Sequence, residues 1–335
     1  MDDDVATGED DTDWLKHQPI TALGYSVACL GTNNPVAEEQ LVTNVRTIVD
    51  TVSRMIDLSD LDGITIAVDY HGALANLDRG YPTDHLLTAT TEGATGVAMS
   101  PLVKRDGALK THIVLSASWT AALLDVTEPN HSIARMTLVH ECVHVFEHSS
   151  FDKAFPGFLL KKAYTEVREW LVLETARACW AEYLACRFSA WARPEHLAFY
   201  EEVFCTALND CDTKVQAAFI DYGVDQDPMK LAVAVGKAYS FLLKYGAYLV
   251  GHLAGTGQDL AAAPAATAAL TGNSFAPYLA KLDSALAAIA AKLEAWDSID
   301  EMWTPGELLM EILGYHDIHL SVDAIGHSAV DILPP

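Results

Sequence analysis

The sequence predicts an α+β protein that is predominantly helical, with a small N-terminal sheet and a helical C-terminal half. Between residues 63 and 116, short β-branched runs alternate with turn residues, which is the pattern of strands. Beyond Pro194, long segments carry apolar residues at helical spacing. With 335 residues, of which 50% are hydrophobic, the chain can bury one large core or two moderate ones.

The N-terminal elements follow from apolar spacing and turn residues. Residues 21–30 are an apolar run that suits either a strand or a buried segment. Residues 35–56 predict a helix, because apolar side chains recur every three or four positions after Asn34-Pro35. Strands are predicted at 63–70, 96–103 and 110–116. Asp106-Gly107, between the last two strands, is a strong hairpin signal.

Residues 133–148 form an apolar segment without Gly or Pro, and they predict a helix that carries an HExxH motif at 140–144. Residues four apart share one face of a helix, so His140 and His144 can place two imidazole nitrogens on one metal ion. Glu141 lies about 100° further round the axis and can reach a water on that ion. The segment therefore predicts Zn²⁺ held by His140 and His144, with Glu141 as the catalytic base. The alternative is a core helix with two incidental histidines.

A hydrolytic zinc site needs a third protein ligand. We predict a second helix at 160–192, on which Glu182 is flanked by small residues that let another helix approach, namely Ala178, Cys179, Ala185 and Cys186. Glu182 is therefore the predicted third ligand, with Glu174 in reserve on the same face. His148 lies about 6 Å beyond His144 along the helix, too far to share the ion, and is expected at the helix C-terminus. His131 is expected near the N-cap.

The motif and the downstream Glu together resemble the gluzincins, zinc metallopeptidases with HExxH on one helix and a ligand Glu on the next. Residues 182–190 are similar to the Glu-xx-Ala-xx-Phe-x-Ala segment around the third ligand of compact bacterial and phage peptidases of the ImmA/IrrE type. The resemblance covers residues 60–192 and implies a zincin-like catalytic core. It also implies that the last strand before the motif helix, residues 111–116, forms the cleft rim and pairs with an extended peptide. An ordinary covered edge strand is the alternative.

His252 is a candidate donor to the oxyanion that such a reaction generates, with Tyr245 and Tyr248 nearby. It lies near the end of a segment, 230–253, that is apolar nearly all round and predicts a buried central helix. The alternative is a helix-end histidine favoured by the helix dipole.

The C-terminal half is expected to contain only helices, at 195–208, 230–253, 278–296 and 305–315, with a Gly/Ala/Pro/Thr-rich linker at 254–272. The predicted division is a disordered acidic tail at 1–15, a catalytic core at 16–192 and a helical region at 193–335 packed on the core. That packing predicts a narrow cleft and restricted substrate choice.

Charge and cysteine usage limit the partners and the compartment. The net charge is −25, and the first 13 residues contain seven acidic residues and no basic one. A body this acidic repels nucleic acid and anionic membranes, so neither is an expected partner, and a basic peptide or protein substrate is favoured. The chain shows neither a secretory signal nor an apolar run of membrane-spanning length, and its six cysteines lack CxxC spacing. A cytoplasmic location is expected.

Two functions follow from this sequence. The first is a zinc metallopeptidase in which Glu141 is the general base. The second is a zincin-like binding scaffold with a structural zinc ion and no peptidase activity. The fourth coordination position distinguishes them, because a structural zinc ion is normally closed by four protein ligands.

Overall fold

The computed structural model of the protein describes residues 18–21, 24–89, 96–160, 164, 166–322 and 328–332. The acidic tail predicted at 1–15 lies outside these residues. The described chain divides into two compact units, the first ending at Ser149 and the second beginning at Ser150. The sequence-based division at residue 192 differs, because the helix that carries Glu182 packs with the C-terminal helices inside the second unit.

The first unit combines a five-stranded sheet with helices. Its strands are β1 (Ser26–Leu30), β2 (Leu61–Ala67), β3 (Ala98–Met99), β4 (Leu102–Arg105) and β5 (Ala108–Ser116). Its helices are α1 (Pro35–Val52), α2 (Tyr70–Ala75), α3 (Ala117–Thr120) and α4 (His131–Ala154), the last of which continues into the second unit. A 3-10 turn at Ala121–Leu124 follows α3.

Strand β5 is an inner strand of this sheet. It pairs in parallel with β2 on one side and antiparallel with β3 and β4 on the other. Thr111, Val114 and Leu115 each have a register partner on both sides of the strand. The expectation that residues 111–116 form a cleft rim and pair with a substrate is therefore wrong, because both backbone edges are already used.

The hairpin between β4 and β5 is confirmed, but the strand before it is shorter than predicted. Asp106 and Gly107 form a two-residue turn with φ values of 50° and 86°, as a hairpin with the right-handed twist requires. The strand predicted at 96–103 is broken at Ser100-Pro101 into β3 and β4. Proline lacks the N–H group that a continuous ladder needs.

Capping residues mark the first residues of helices α1 and α2. Helix α1 begins at Pro35, and the Asn34 side chain accepts a hydrogen bond from the Ala37 amide. It ends at Val52, four residues before the predicted end. Helix α2 was not predicted, although the Asp69 side chain caps it by accepting from the Gly72 amide. The ambiguous run at 21–30 contains strand β1.

Helix α4 is longer than the apolar segment that predicts it. It begins at His131 and continues to Ala154. His148 therefore lies inside the helix, and its expected position at the helix C-terminus is wrong. Six further residues, none of them Gly or Pro, extend the helix beyond it.

The second unit is built from helices and one hairpin. Its helices are α5 (Val167–Ser189), α6 (Leu197–Asp225), α7 (Pro228–Gly255), α8 (Pro264–Leu270), α9 (Ala276–Ala291) and α10 (Thr304–Tyr315). Short 3-10 turns lie at Ala190–Ala192, Pro194–His196, Leu260–Ala262 and Ile299–Trp303. The hairpin joins β6 (Ile318–Val322) to β7 (Ser328–Ile332), so the expectation of an entirely helical C-terminal half is wrong. The predicted linker contains α8, and α6 continues well beyond residue 208.

Helix α7 forms the centre of the second unit, as its apolar sequence predicts. Helices α5, α6, α9 and α10 all pack against it. Gly251 allows α5 to approach closely, since a Cβ atom at that position would lie 2.5 Å from the Tyr183 carbonyl oxygen. In the part of the chain that is described, no helix combines the length and the apolar character needed to cross a membrane.

Candidate metal centre

The two histidines of the HExxH motif lie on an apolar part of α4. Leu138, Val139, Cys142 and Val143 around them are fully buried, whereas His140 and His144 are half-buried. The helical spacing brings their Nε2 atoms to 3.2 Å from each other. The two rings are nearly perpendicular, with centroids 4.8 Å apart.

The distance between the two Nε2 atoms fits a shared zinc ion. Two nitrogen ligands at 2.0–2.1 Å from one tetrahedral ion lie about 3.4 Å apart. The observed 3.2 Å is close to that value. The same separation also suits a direct hydrogen bond, in which one imidazole donates to the other.

Glu141 is held by a side chain from the sheet. The residue is 7% exposed, and Ser100 Oγ lies 2.7 Å from Glu141 Oε2 and 3.1 Å from the Glu141 carbonyl oxygen. The shorter contact indicates that the hydroxyl donates to the carboxylate and thereby fixes its rotation. Sequence patterns do not reveal Ser100 as a site residue. Its only signal is the proline that follows it and interrupts the strand.

Glu182 lies on α5 among small neighbours, as the sequence predicts. Cys179, Ala185 and Cys186 are buried, and Glu182 itself is half-buried. The Tyr248 side chain on α7 hydrogen-bonds to the Glu182 carboxylate. Burial raises the pKa of the Tyr248 phenol well above 10.0, and the negative charge of the Glu182 carboxylate raises it further. The phenol therefore stays protonated at neutral pH and donates to Glu182.

One group of described His, Cys, Asp and Glu side chains meets the geometric condition for holding a metal ion. It consists of His140, His144 and Glu182, each of which offers one ligand atom within 4.8 Å of the others. Two imidazoles and one carboxylate are a donor set that catalytic zinc sites use. The residues present therefore fit a zinc ion.

The other candidate ligands are outside this group and have different contacts. Glu174 is exposed and accepts a hydrogen bond of 2.5 Å from Tyr164. His148 Nδ1 lies 3.0 Å from Thr111 Oγ1, and His131 Nδ1 lies 3.1 Å from the Ala122 carbonyl oxygen.

His252 lies in the last turn of α7 and has contacts that favour a structural role. Its side chain is 0% exposed, and Nε2 lies 2.9 Å from the Pro194 carbonyl oxygen, to which it can only donate. Burial lowers the pKa of His252 below 6.5, so the ring is neutral and gains little from the helix dipole. Its role as an oxyanion donor stays a prediction, and the described contacts do not support it.

Comparisons with known proteins give no relative. No protein-family profile, curated protein or solved structure matches this chain. The resemblance to gluzincins therefore rests on residues 140–144 and 182–190.

Proposed function

We propose that this protein is a zinc metallopeptidase in which His140, His144 and Glu182 hold the metal ion. The observation that carries the proposal is the proximity of their three ligand atoms, within 4.8 Å of one another. Three protein ligands leave a tetrahedral ion with a fourth position for water or substrate. Glu141 adds a carboxylate that a purely structural zinc site would not need.

The proposed chemistry divides between the ion and the side chains. Zinc, when bound, polarises a carbonyl group and lowers the pKa of a water ligand towards about 7. Glu141 accepts the proton of the attacking water and delivers it to the leaving amine. Ser100 holds Oε2 of Glu141, and Tyr248 holds the Glu182 carboxylate, so both acidic side chains keep their orientation during turnover.

A zinc-binding scaffold without peptidase activity is the second candidate function. The burial of Glu141 and its hydrogen bond to Ser100 favour this candidate. A buried carboxylate that accepts a hydrogen bond from a neighbouring strand can have a purely structural role.

The decisive test combines metal analysis with the Glu141→Gln variant. We expect about one zinc per chain in the purified protein and in Glu141→Gln. Loss of the general base should lower cleavage of a peptide library by a factor of about 10²–10⁴. Glutamine keeps the shape of the side chain and an oxygen for Ser100, which isolates the loss of basicity.

Two further variants test the ligand set. Glu182→Gln should lose zinc, whereas Glu174→Gln is the matched control and should keep it, since Glu174 is exposed and bound to Tyr164. A wild-type protein without zinc would end both candidate functions. Zinc with equal activity in wild type and Glu141→Gln would remove Glu141 as the base. If the protein contains zinc but cleaves no peptide, the zinc-binding scaffold is the candidate function that remains.

A further inference from the structure

The second unit contains a groove lined by lysines. Its volume is about 590 Å³, and helices α5, α6 and α7 line it. Most of the uncharged residues in its lining are alanines, and the charged ones are Lys214, Lys237, Lys244 and Asp221. We call this feature the lysine groove.

The lysine groove is locally cationic. Its lining contains three lysines and one carboxylate, that of Asp221, which lies 3.7 Å from Lys230 Nζ. Lys230 lies closer, at 2.7 Å, to Asp225, so the positive charge of the groove comes from the excess of lysines in its lining. Within the described part of the chain, Lys237 and Lys244 have no carboxylate within 4.0 Å. The groove therefore gathers positive charge in a protein whose net charge is −25.

Aromatic rings hold the lysines in place. Lys237 Nζ lies 5.5 Å from the centroid of the Trp170 ring, and Lys244 Nζ lies 5.7 and 5.8 Å from those of Tyr245 and Tyr248. A ring face attracts an ammonium group without occupying its N–H donors in strong hydrogen bonds. The two ammonium groups are thus positioned and still able to bind an anion.

The groove ends beside the proposed zinc ligand. Ala178 in its lining lies one helical turn before Glu182 on α5. Lys244 lies one turn before Tyr248 on α7, and the Tyr248 side chain hydrogen-bonds to Glu182.

The spacing of the lysines suits an extended peptide. Lys237 and Lys244 are seven residues apart on α7, which places them on one face and about 10 Å apart along the axis. About three residues of extended chain cover that distance. A short acidic segment can contact both ammonium groups, whereas a long polyanion would also meet the acidic remainder of the surface.

We infer that the lysine groove binds acidic segments of peptide substrates, so that the enzyme cleaves beside a run of Asp or Glu. This inference rests on the proposed function and assigns its substrate class. It is opposite in sign to the basic substrate that the net charge favours, because a local cluster of lysines dominates the field inside a groove.

Peptide binding to a full-length Glu141→Gln protein tests the groove without turnover. The probe is a fluorescein-labelled peptide of 12 residues that contains four Asp or Glu, and its counterpart has Asn and Gln at those positions. At low salt we expect the acidic peptide to bind about tenfold more tightly than the amide peptide. Replacing Lys237 and Lys244 by Gln should remove this preference and leave amide-peptide binding unchanged.

The double variant Lys104→Gln/Lys110→Gln is the charge-matched control. Both lysines lie on the β4–β5 hairpin, outside the groove lining, so its acidic-peptide affinity should equal that of the parent protein. The single variant Lys237→Gln, at an exposed position, covers the case in which the double groove variant does not fold. It should lose part of the preference.

Three outcomes would overturn the inference: equal binding of the acidic and amide peptides, an unchanged preference in the groove variants, or equal competition by a thymidine oligonucleotide of matching charge. The binding assay needs neither bound zinc nor catalysis, so its failure leaves the proposed function untouched. Absence of zinc in the metal analysis would instead remove the proposed function while the binding result stood. In the active enzyme, kcat/KM for the acidic peptide should fall about tenfold in the groove variant.

Discussion

The hydroxyl groups of Ser100 and Tyr248 orient the two carboxylates that the proposed metal centre uses. Each comes from an element other than the one that carries its carboxylate: Ser100 from the sheet and Tyr248 from α7. Hydrogen bonds of this kind restrict the rotation of a side chain and so reduce the entropy lost when it binds a metal ion.

Replacing Tyr248 by Phe should therefore weaken zinc binding. The variant removes the donor to Glu182 and keeps the ring on which Lys244 and Tyr200 pack. We expect the zinc dissociation constant, measured by competition with a chromophoric chelator, to rise about tenfold or more.

The matched control is Tyr239→Phe, which loses a comparable contact, 2.8 Å to His316 Nε2, within the same unit. Its zinc affinity should stay at the wild-type value. An unchanged affinity in Tyr248→Phe would mean that the phenol does not support the ligand.

Among the site residues, the sequence predicts the contacts that form within a single helix. The spacing of His140 and His144 on one helix fixes the 3.2 Å between their nitrogens, and no tertiary information is needed for it. Ser100 is 41 residues from Glu141, and only the pairing of β3 and β4 with β5 positions it. His252 illustrates the limit, because its burial and its Pro194 contact could not be read from a helix-end position.

The contact between α5 and α7 is the element pair that positions Glu182. The two helices approach closely at Gly251, where a Cβ would lie 2.5 Å from the Tyr183 carbonyl oxygen and 3.0 Å from the Tyr183 Cα. Tyr183 is the residue after Glu182, so any separation of the helices there displaces the ligand as well.

Gly251→Ala should force these helices apart. We expect the free energy of unfolding, measured with urea, to fall by about 1–3 kcal/mol, and zinc affinity to fall with it. Gly223→Ala on α6 is the control, because no atom lies within 4 Å of a Cβ at that position. It should leave stability unchanged or raise it by up to about 1 kcal/mol. Equal effects of the two substitutions would show that the close approach at Gly251 has no role in stability.

Element starts were easier to predict than element ends and pairings. Asn34-Pro35 and Asp106-Gly107 act through their own backbone preferences, and the helix and the hairpin form where they predict. The inner position of β5 depends on partners far away in the sequence, so the expectation of an edge strand failed. Apolar and polar residues alternate at 318–322, which indicates a strand. The predicted helices around this segment favoured a helical interpretation instead.

For the whole molecule, the distribution of charge matters more than its sum. The value of −25 favours a basic partner, yet the lysine groove lies within the same unit as Glu182. Long-range repulsion is screened within about 10 Å at 0.1 M salt, whereas lysines inside a groove act at contact distance. The net charge therefore affects solubility and the rate at which charged partners approach the protein, whereas the lysine groove determines which substrates bind.

The chain beyond α7 is expected to be essential for the second unit to fold. Leucines from α9 and α10 complete its core, with Leu279, Leu282, Leu286 and Leu309 all 2% exposed or less. Leu279 and Leu282 contact α7 at Gly246, and α10 meets the α5 backbone at Gly306. Each buried leucine contributes about 1.5–3 kcal/mol, so losing four of them approaches the whole stability of a typical domain.

A chain ending at Gly255 should accordingly be destabilised as a whole and fail to retain zinc, since α5 carries Glu182. The control is a chain ending at Val322, which loses β7, a strand without a buried residue, and should keep its fold and its metal. Circular dichroism melting and metal analysis on both chains provide the comparison. A chain of residues 1–255 that melts cooperatively, holds zinc and cleaves peptides would show that α5 and α7 need no cover from α9 and α10. The C-terminal helices would then have to serve something other than the stability of the metal centre.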